Sequence, residues 1–265
     1  MTCFTSLCHE LFSLRLPVID ARVGMLQKAV FFALLALAVF YPPAATAGSM
    51  PISPKIQPRA LILSSTQNQY PMLYLDKVST ELKDAGYNVT FLSGSSITVS
   101  FITTQLDQYD ILIWRTDMYV LGNTTYWYLG EQGNQTSYSE AIGIGSINVA
   151  NGMLAVSASF LRNTYAPNSL THLKLAILDS SMSITIAQIL IAAGVRTTID
   201  FYQSITAPPS LFDWVTWSLV GYLTTGSTVS DAIYKTIYNY EYVSSLDDSY
   251  LPPISFLGNG NLQIV

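Results

Sequence analysis

Asp179, Ser180 and Ser181 end an apolar run in the segment Leu173–Ser183, LKLAILDSSMS. A hydroxyl next to a carboxylate can support nucleophilic or acid–base chemistry if a base lies within hydrogen-bond reach. A second run, Asp110–Asp117 (DILIWRTD), ends the same way and delivers Arg115, Thr116 and Asp117. The carboxylates of Asp117 and Asp179, with Glu131 further along, have two chemical uses. They could hold a hard cation such as Ca²⁺ through oxygen ligands, or serve as a general acid/base couple of the glycosidase type. They also have structural uses. Asp179 could cap the turn or helix that follows it, and Asp117 could pair with Arg115 or face solvent.

The elements that must position these groups follow from periodicity. A short apolar run bounded by polar turn residues reads as a strand buried on both faces of a parallel sheet. The carboxyl end of such a strand is where open α/β sheets bind ligands. The sequence predicts strands at Arg59–Ser65, Tyr87–Leu92, the run ending at Asp117, Met153–Phe160, Leu173–Leu178 and Arg196–Tyr202. Helical spacing is predicted over Tyr70–Ala85, Ser183–Ala193 and Ser210–Leu223, and from Thr228 through Tyr240, with Thr228-x-x-Asp231 as a capping-box-like start, while Thr98–Leu106 reads as a short helix or turn. The closing segment Ile254–Val265 reads as two short strand-like runs around a Gly-Asn-Gly turn. Strands alternating with helices give an α/β fold with a mainly parallel sheet. A flavodoxin-like or amidotransferase-like sheet is the nearest competitor on periodicity alone. Residues 119–150 break this rhythm. They are rich in Tyr, Gly, Asn and Thr and read as an insert beside the strand ends. Its aromatic residues Tyr119, Tyr126, Trp127 and Tyr128 suit either a carbohydrate or peptide platform or the core of a small lobe.

Composition narrows the function classes. Half of the 265 residues are hydrophobic and only 11% are charged, with a formal net charge of −5. That balance suits an extracytoplasmic protein and argues against nucleic acid, which selects basic faces. Neither G-x-G-x-x-G nor G-x-x-x-x-G-K-[ST] occurs, so nucleotide binding has no support. Residues 1–47 read as a leader, with Arg15, Arg22 and Lys28 ahead of the apolar run 29–41 and an A-x-A pattern at Ala45-Thr46-Ala47. An uncleaved membrane anchor at 29–41 is the competing reading, and Met25 is an alternative start. Residues 48–58 read as a linker, and 59–265 as a single domain. Cys3, Cys8 and His9 all lie in the leader, which leaves a mature chain with no cysteine and one histidine, His172. Disulfides, thiol chemistry and zinc sites are thereby excluded from the mature chain. No cofactor is expected. Asn88, Asn123 and Asn134 begin N-x-[ST] sequons, which fit a secreted protein and also occur by chance in so polar a chain.

The strand–Asp179-Ser180-Ser181-Met182-Ser183–helix pattern resembles the D-S-C-H-S-G turn of metacaspases and other caspase-like (clan CD) cysteine peptidases. The strand ending W-R-T-D-M-Y stands where that family carries its catalytic histidine. The closing SFLGNGNLQI is similar to the end of gingipain-like domains. The resemblance implies a three-layer sandwich with a caspase-like sheet and a Tyr-rich insert, and places Ser181 at the nucleophile position and Asp117 at the base position. Both diagnostic residues are thus replaced. A serine hydroxyl ionises far less readily than a thiol, and an aspartate is a poor base at pH 7. His172 lies nine positions before Ser181, at the other end of the same strand and on the order of 25 Å away. The implied function is a secreted, catalytically inactive pseudo-peptidase that binds a peptide or protein ligand through Arg115, Asp117, Glu131, Asp179, Ser180 and Ser181. One alternative is a hydrolase that reuses Ser181 or the Asp117/Asp179 carboxylates. Another is a Ca²⁺-dependent surface-layer or adhesion component, with Asp117 and Asp179 as the cation ligands.

Overall fold

Runs of consecutive apolar residues become strands whose two faces are both covered. From the amino end the elements are β1 (Arg59–Ser64), α1 (Leu73–Asp84), β2 (Asn88–Ser93), α2 (Val99–Gln105), β3 (Ile111–Arg115), β4 (Met118–Leu121), β5 (Thr124–Gln132), α3 (Ser139–Gly143), β6 (Ile147–Ala150), β7 (Met153–Ser157), α4 (Ala158–Thr164), β8 (Leu175–Asp179), α5 (Ile184–Ala192), β9 (Thr197–Phe201), α6 (Pro209–Thr224), α7 (Val229–Ser244) and β10 (Ile254–Gly258). The computed structural model describes residues 57–65, 73–133, 136–201, 209–244 and 254–265. The segment expected to be a leader, 1–47 with its apolar run 29–41, most of the expected linker 48–58 and the sequon at Asn134 lie outside the described residues. Among the described residues, no helix is long and apolar enough to cross a membrane.

Six strands form one sheet in the order β10-β9-β8-β3-β1-β2. All pairs are parallel except β10 with β9. The parallel strands therefore follow the doubly wound order 2-1-3-4-5, whose ligand crevice lies where the chain departs to opposite faces. Ala60, Ile62, Ile111, Ile113, Leu175 and Ile177 face one side, where α1, α6 and α7 pack with Leu75, Val78, Val215, Leu219 and Val229. Leu61, Leu63, Leu112, Trp114, Ala176 and Leu178 face the other, against α2, α4 and α5. This two-sided burial is why the strands read as unbroken apolar runs rather than alternating ones.

Between β3 and β8 the chain builds a second, antiparallel sheet in the order β4-β5-β7-β6. Met153–Phe160, expected as one strand, is β7 followed by α4, because Ser157 turns the chain and caps the helix by accepting from Phe160 N at 3.3 Å. Trp127, Leu154 and Val156 point from the second sheet into the shared core. The tyrosines take its other face. Tyr119 stacks on Tyr126 at 5.3 Å between ring centroids and meets Tyr128 at 5.0 Å. Only the first of the two strand-like runs in Ile254–Val265 is a strand. Past Gly258 the chain leaves the sheet edge: the Leu262 carbonyl accepts from Val229 N, and the Ile264 carbonyl accepts from the Tyr87 hydroxyl.

Candidate functional site

Register brings the two polar strand ends together. Ser64 of β1 is the cross-strand partner of Arg115 on β3, and Arg115 is the partner of Asp179 on β8. Each is the last residue of its strand, and side chains level across a parallel sheet share a face. That face is the one covered by α6. Two polar side chains of α6 descend onto the row. Asp213 and Thr216 are three residues apart and so lie on the same side of the helix. Arg115 donates to Asp213 in a fork, from Nε to Oδ1 and from Nη2 to Oδ2, the latter at 3.0 Å. Its Nη1 reaches the Ser64 hydroxyl at 3.5 Å. The Thr216 hydroxyl donates to Asp179 Oδ2 at 3.1 Å. Arg115, Asp179, Asp213 and Thr216 are all buried.

One guanidinium thus sits among more carboxyl groups than it can neutralise. Asp213 takes the bidentate bond, the strongest geometry available to an arginine. Asp179 is pushed up to about 7, first by burial and then by the Asp213 charge, with Arg115 and the Thr216 hydrogen bond pulling the other way. Burial also raises Asp213, again against the pull of Arg115. Asp117, half-buried just beyond the row, is raised by burial and lowered by Arg115. Near neutrality the site therefore shares a proton at Asp179. Arg115 pairs with Asp213 rather than Asp117, and Asp179 bonds across to α6 instead of capping α5.

The next row faces the second sheet. Ser65 N and the Ser65 hydroxyl both donate to the Arg115 carbonyl, at 3.0 and 3.2 Å. Thr116 donates from its hydroxyl to the Tyr128 carbonyl at 2.7 Å, and Tyr128 N returns a bond to the Asp117 carbonyl. These bonds hold β5 across the carboxyl end of β3. Ser180 is buried and donates to the Ser181 carbonyl.

Ser181 stands in the turn between β8 and α5. Met182, a non-glycine residue, holds φ at 54° in the left-handed region. Ser183 then rejoins the sheet: its N–H donates to the Phe201 carbonyl and its hydroxyl accepts from Phe201 N, both at 3.1 Å. Among the described residues the Ser181 hydroxyl has no hydrogen-bond partner. His172 offers no base to the site. His172 is exposed at the amino end of β8 and pairs with Asp107 at 3.1 Å.

Glu131 is engaged elsewhere. Its carboxylate accepts from Val99 N at 2.7 Å, at the start of α2, and from the Tyr138 hydroxyl at 3.1 Å. Among the described residues no group of three or more His, Cys, Asp or Glu side chains is placed to hold a metal ion. The structure thus gathers Arg115, Asp117, Asp179, Ser180 and Ser181 at one edge and leaves Glu131 holding a helix. Sequence reasoning passed over Asp213 and Thr216. Their signal was an acid and a hydroxyl three residues apart inside the apolar helix sequence LFDWVTW, in a chain with few charges. Compared with known proteins, the sequence matches no family model and no curated protein.

Proposed function

We propose that this chain is an extracytoplasmic, catalytically silent caspase-like domain that binds a peptide or protein at its strand ends. In this reading the main sheet and its helices are the three-layer sandwich, the tyrosine-rich sheet β4–β7 is an insert into it, and the leader carries the chain out of the cytoplasm. The order of elements supports it: the turn bearing Ser181 follows β8, and β8 is the direct neighbour of β3, which leads to Asp117. One observation carries the silence. The hydroxyl at the nucleophile-equivalent position, Ser181, has no base bonded to it among the described residues, and an unactivated serine is a weak nucleophile. The nearest acid in sequence, Asp179, is buried and bonded to Thr216 on the α6 side.

A hydrolase built on Asp117 and Asp179 is favoured by one fact only, the neutral-range titration of Asp179. Its burial counts against that role, since a general acid must reach the substrate. The test is labelling of the purified protein with a fluorophosphonate probe, alongside hydrolysis of a fluorogenic peptide mixture, with Ser181→Ala as control. The expected result is no labelling and no hydrolysis from pH 5 to 9, a span bracketing the titration of Asp179. Labelling that disappears in Ser181→Ala, or hydrolysis above the uncatalysed rate, overturns the reading.

A further inference from the structure

A cavity of about 390 Å³ opens at the carboxyl ends of β1 and β2, lined by Ser65, Ser93, Gly94, Ser95, Gly130, Gln132 and Met153. Its size falls within the range of small-ligand pockets, and it lies beyond the carboxyl ends of the strands, on the β2 side of the β1/β3 switch point. Its lining contains no charged side chain among the described residues. The Arg115 and Asp179 side chains belong to the row under α6, while Ser65 belongs to the next row, facing the second sheet.

Two further features shape this space. The β5–β7 register shifts between Tyr128 and Gln132, so β5 bulges where it passes over the cavity. Bulges recur beside binding sites because they re-aim the chain. Within that bulge Gly130 touches Gly94 backbone to backbone, and a Cβ at Gly130 would collide with the Gly94 carbonyl. Gly94 itself holds φ at 51°. The absence of side chains at this contact lets main chain form that part of the wall directly.

We propose that this cavity is a binding subsite for an uncharged hydrogen-bonding group, a carboxamide or hydroxyl, and that it rejects the corresponding ions. The Ser65 hydroxyl spends its proton on the Arg115 carbonyl, so it faces a ligand as an acceptor. Ser95 and the Gln132 carboxamide add groups that both donate and accept, and Met153 adds an apolar wall. A carboxylate or ammonium group entering here meets no opposite charge among the described lining residues and loses its hydration uncompensated. A neutral amide exchanges water bonds for protein bonds at little loss. The inference rests on the binding reading above only for the source of the group, which is a side chain of a bound peptide.

The test uses an isosteric pair on the full-length chain at pH 7, N-acetylglutamine methylamide against N-acetylglutamate methylamide, read by saturation-transfer NMR. The amide is expected to bind saturably and the carboxylate at least about tenfold more weakly. Ser95→Trp, at the exposed rim, is expected to abolish the signal while the circular dichroism spectrum stays unchanged. Ser95→Lys keeps the test valid if the Trp variant misfolds, and is expected to admit the carboxylate. Equal binding of the two probes, binding indifferent to both variants, or no binding of either probe overturns the subsite. A capped pentapeptide centred on glutamine then addresses the source. If it binds about tenfold more tightly than the single residue, a peptide delivers the group. Equal affinity leaves the subsite standing for a small free amide and removes the peptide reading.

Discussion

The two sides of the strand edge are built on opposite plans. Under α6, four polar side chains from three elements are buried and bonded to one another, and every charge has an internal use. Against the second sheet, serines and a carboxamide border open space, with no charged side chain among the described lining residues. The polar groups that stand out in the sequence as chemistry, Arg115 and Asp179, thus act as structure, and the unremarkable serines border the space a ligand can enter. A charged residue at a strand end is a functional signal only if the fold leaves it unspent.

The comparison fails if the α6 side proves dispensable. Asp213→Ala strands Arg115 in a buried site without its carboxylate, and a stability loss of about 3–5 kcal/mol is expected in urea unfolding. A loss below about 1 kcal/mol would mean that water reaches the guanidinium and the site is open after all. A double replacement, Arg115→Met with Asp213→Leu, is expected to recover most of the loss, as apolar substitutes for buried pairs do.

The pH dependence sharpens the contrast. Asp179 titrates at about 7 in the folded chain and near 3.9 unfolded. Between those values the folded state holds the extra proton. Its contribution is complete below about pH 4 and is lost as pH rises toward 7. Asp179→Asn, which keeps an acceptor for Thr216, is expected to flatten that slope by on the order of 2 kcal/mol. An unchanged slope in chemical unfolding at pH 4, 5.5 and 7 would place the shared proton elsewhere. The smallest effect belongs to the cavity side. Ser95→Ala, at an exposed rim position, is expected to alter stability by less than about 0.5 kcal/mol in the same unfolding measurement. A larger loss would show that the cavity wall is a structural network like its neighbour.

Much of the architecture was legible because it depends on local pattern. Leu175–Leu178 and Ile111–Trp114 had to be buried strands, and polar residues at their ends had to fall at one edge once the sheet was parallel. Thr228 was legible as a helix start and does accept from Asp231 N at 3.2 Å. What the sequence hid was partnership across distance. Nothing near Arg115 announces that its carboxylate comes from Asp213, because that pairing is set by how α6 lies across the sheet. The same holds for Glu131, whose acidity suggested a ligand role while the fold placed it at the first N–H of α2. The Gly94–Gly130 contact was equally invisible, since a single glycine in a strand and another in a turn have many ordinary reasons to be there.

The pairing of Arg115 with Asp213 also carries a schedule. The two residues are 98 positions apart, so a ribosome working at about 5–20 residues per second delivers the arginine several seconds before its partner. Through that interval the residues of β1, β2 and β3 have been synthesised, but the arginine at the end of β3 has no carboxylate from α6 to receive it. A nascent chain must keep this corner wet, or guarded by a chaperone, until α6 emerges, and the edge that draws attention first in the sequence is among the last parts of the protein to be finished.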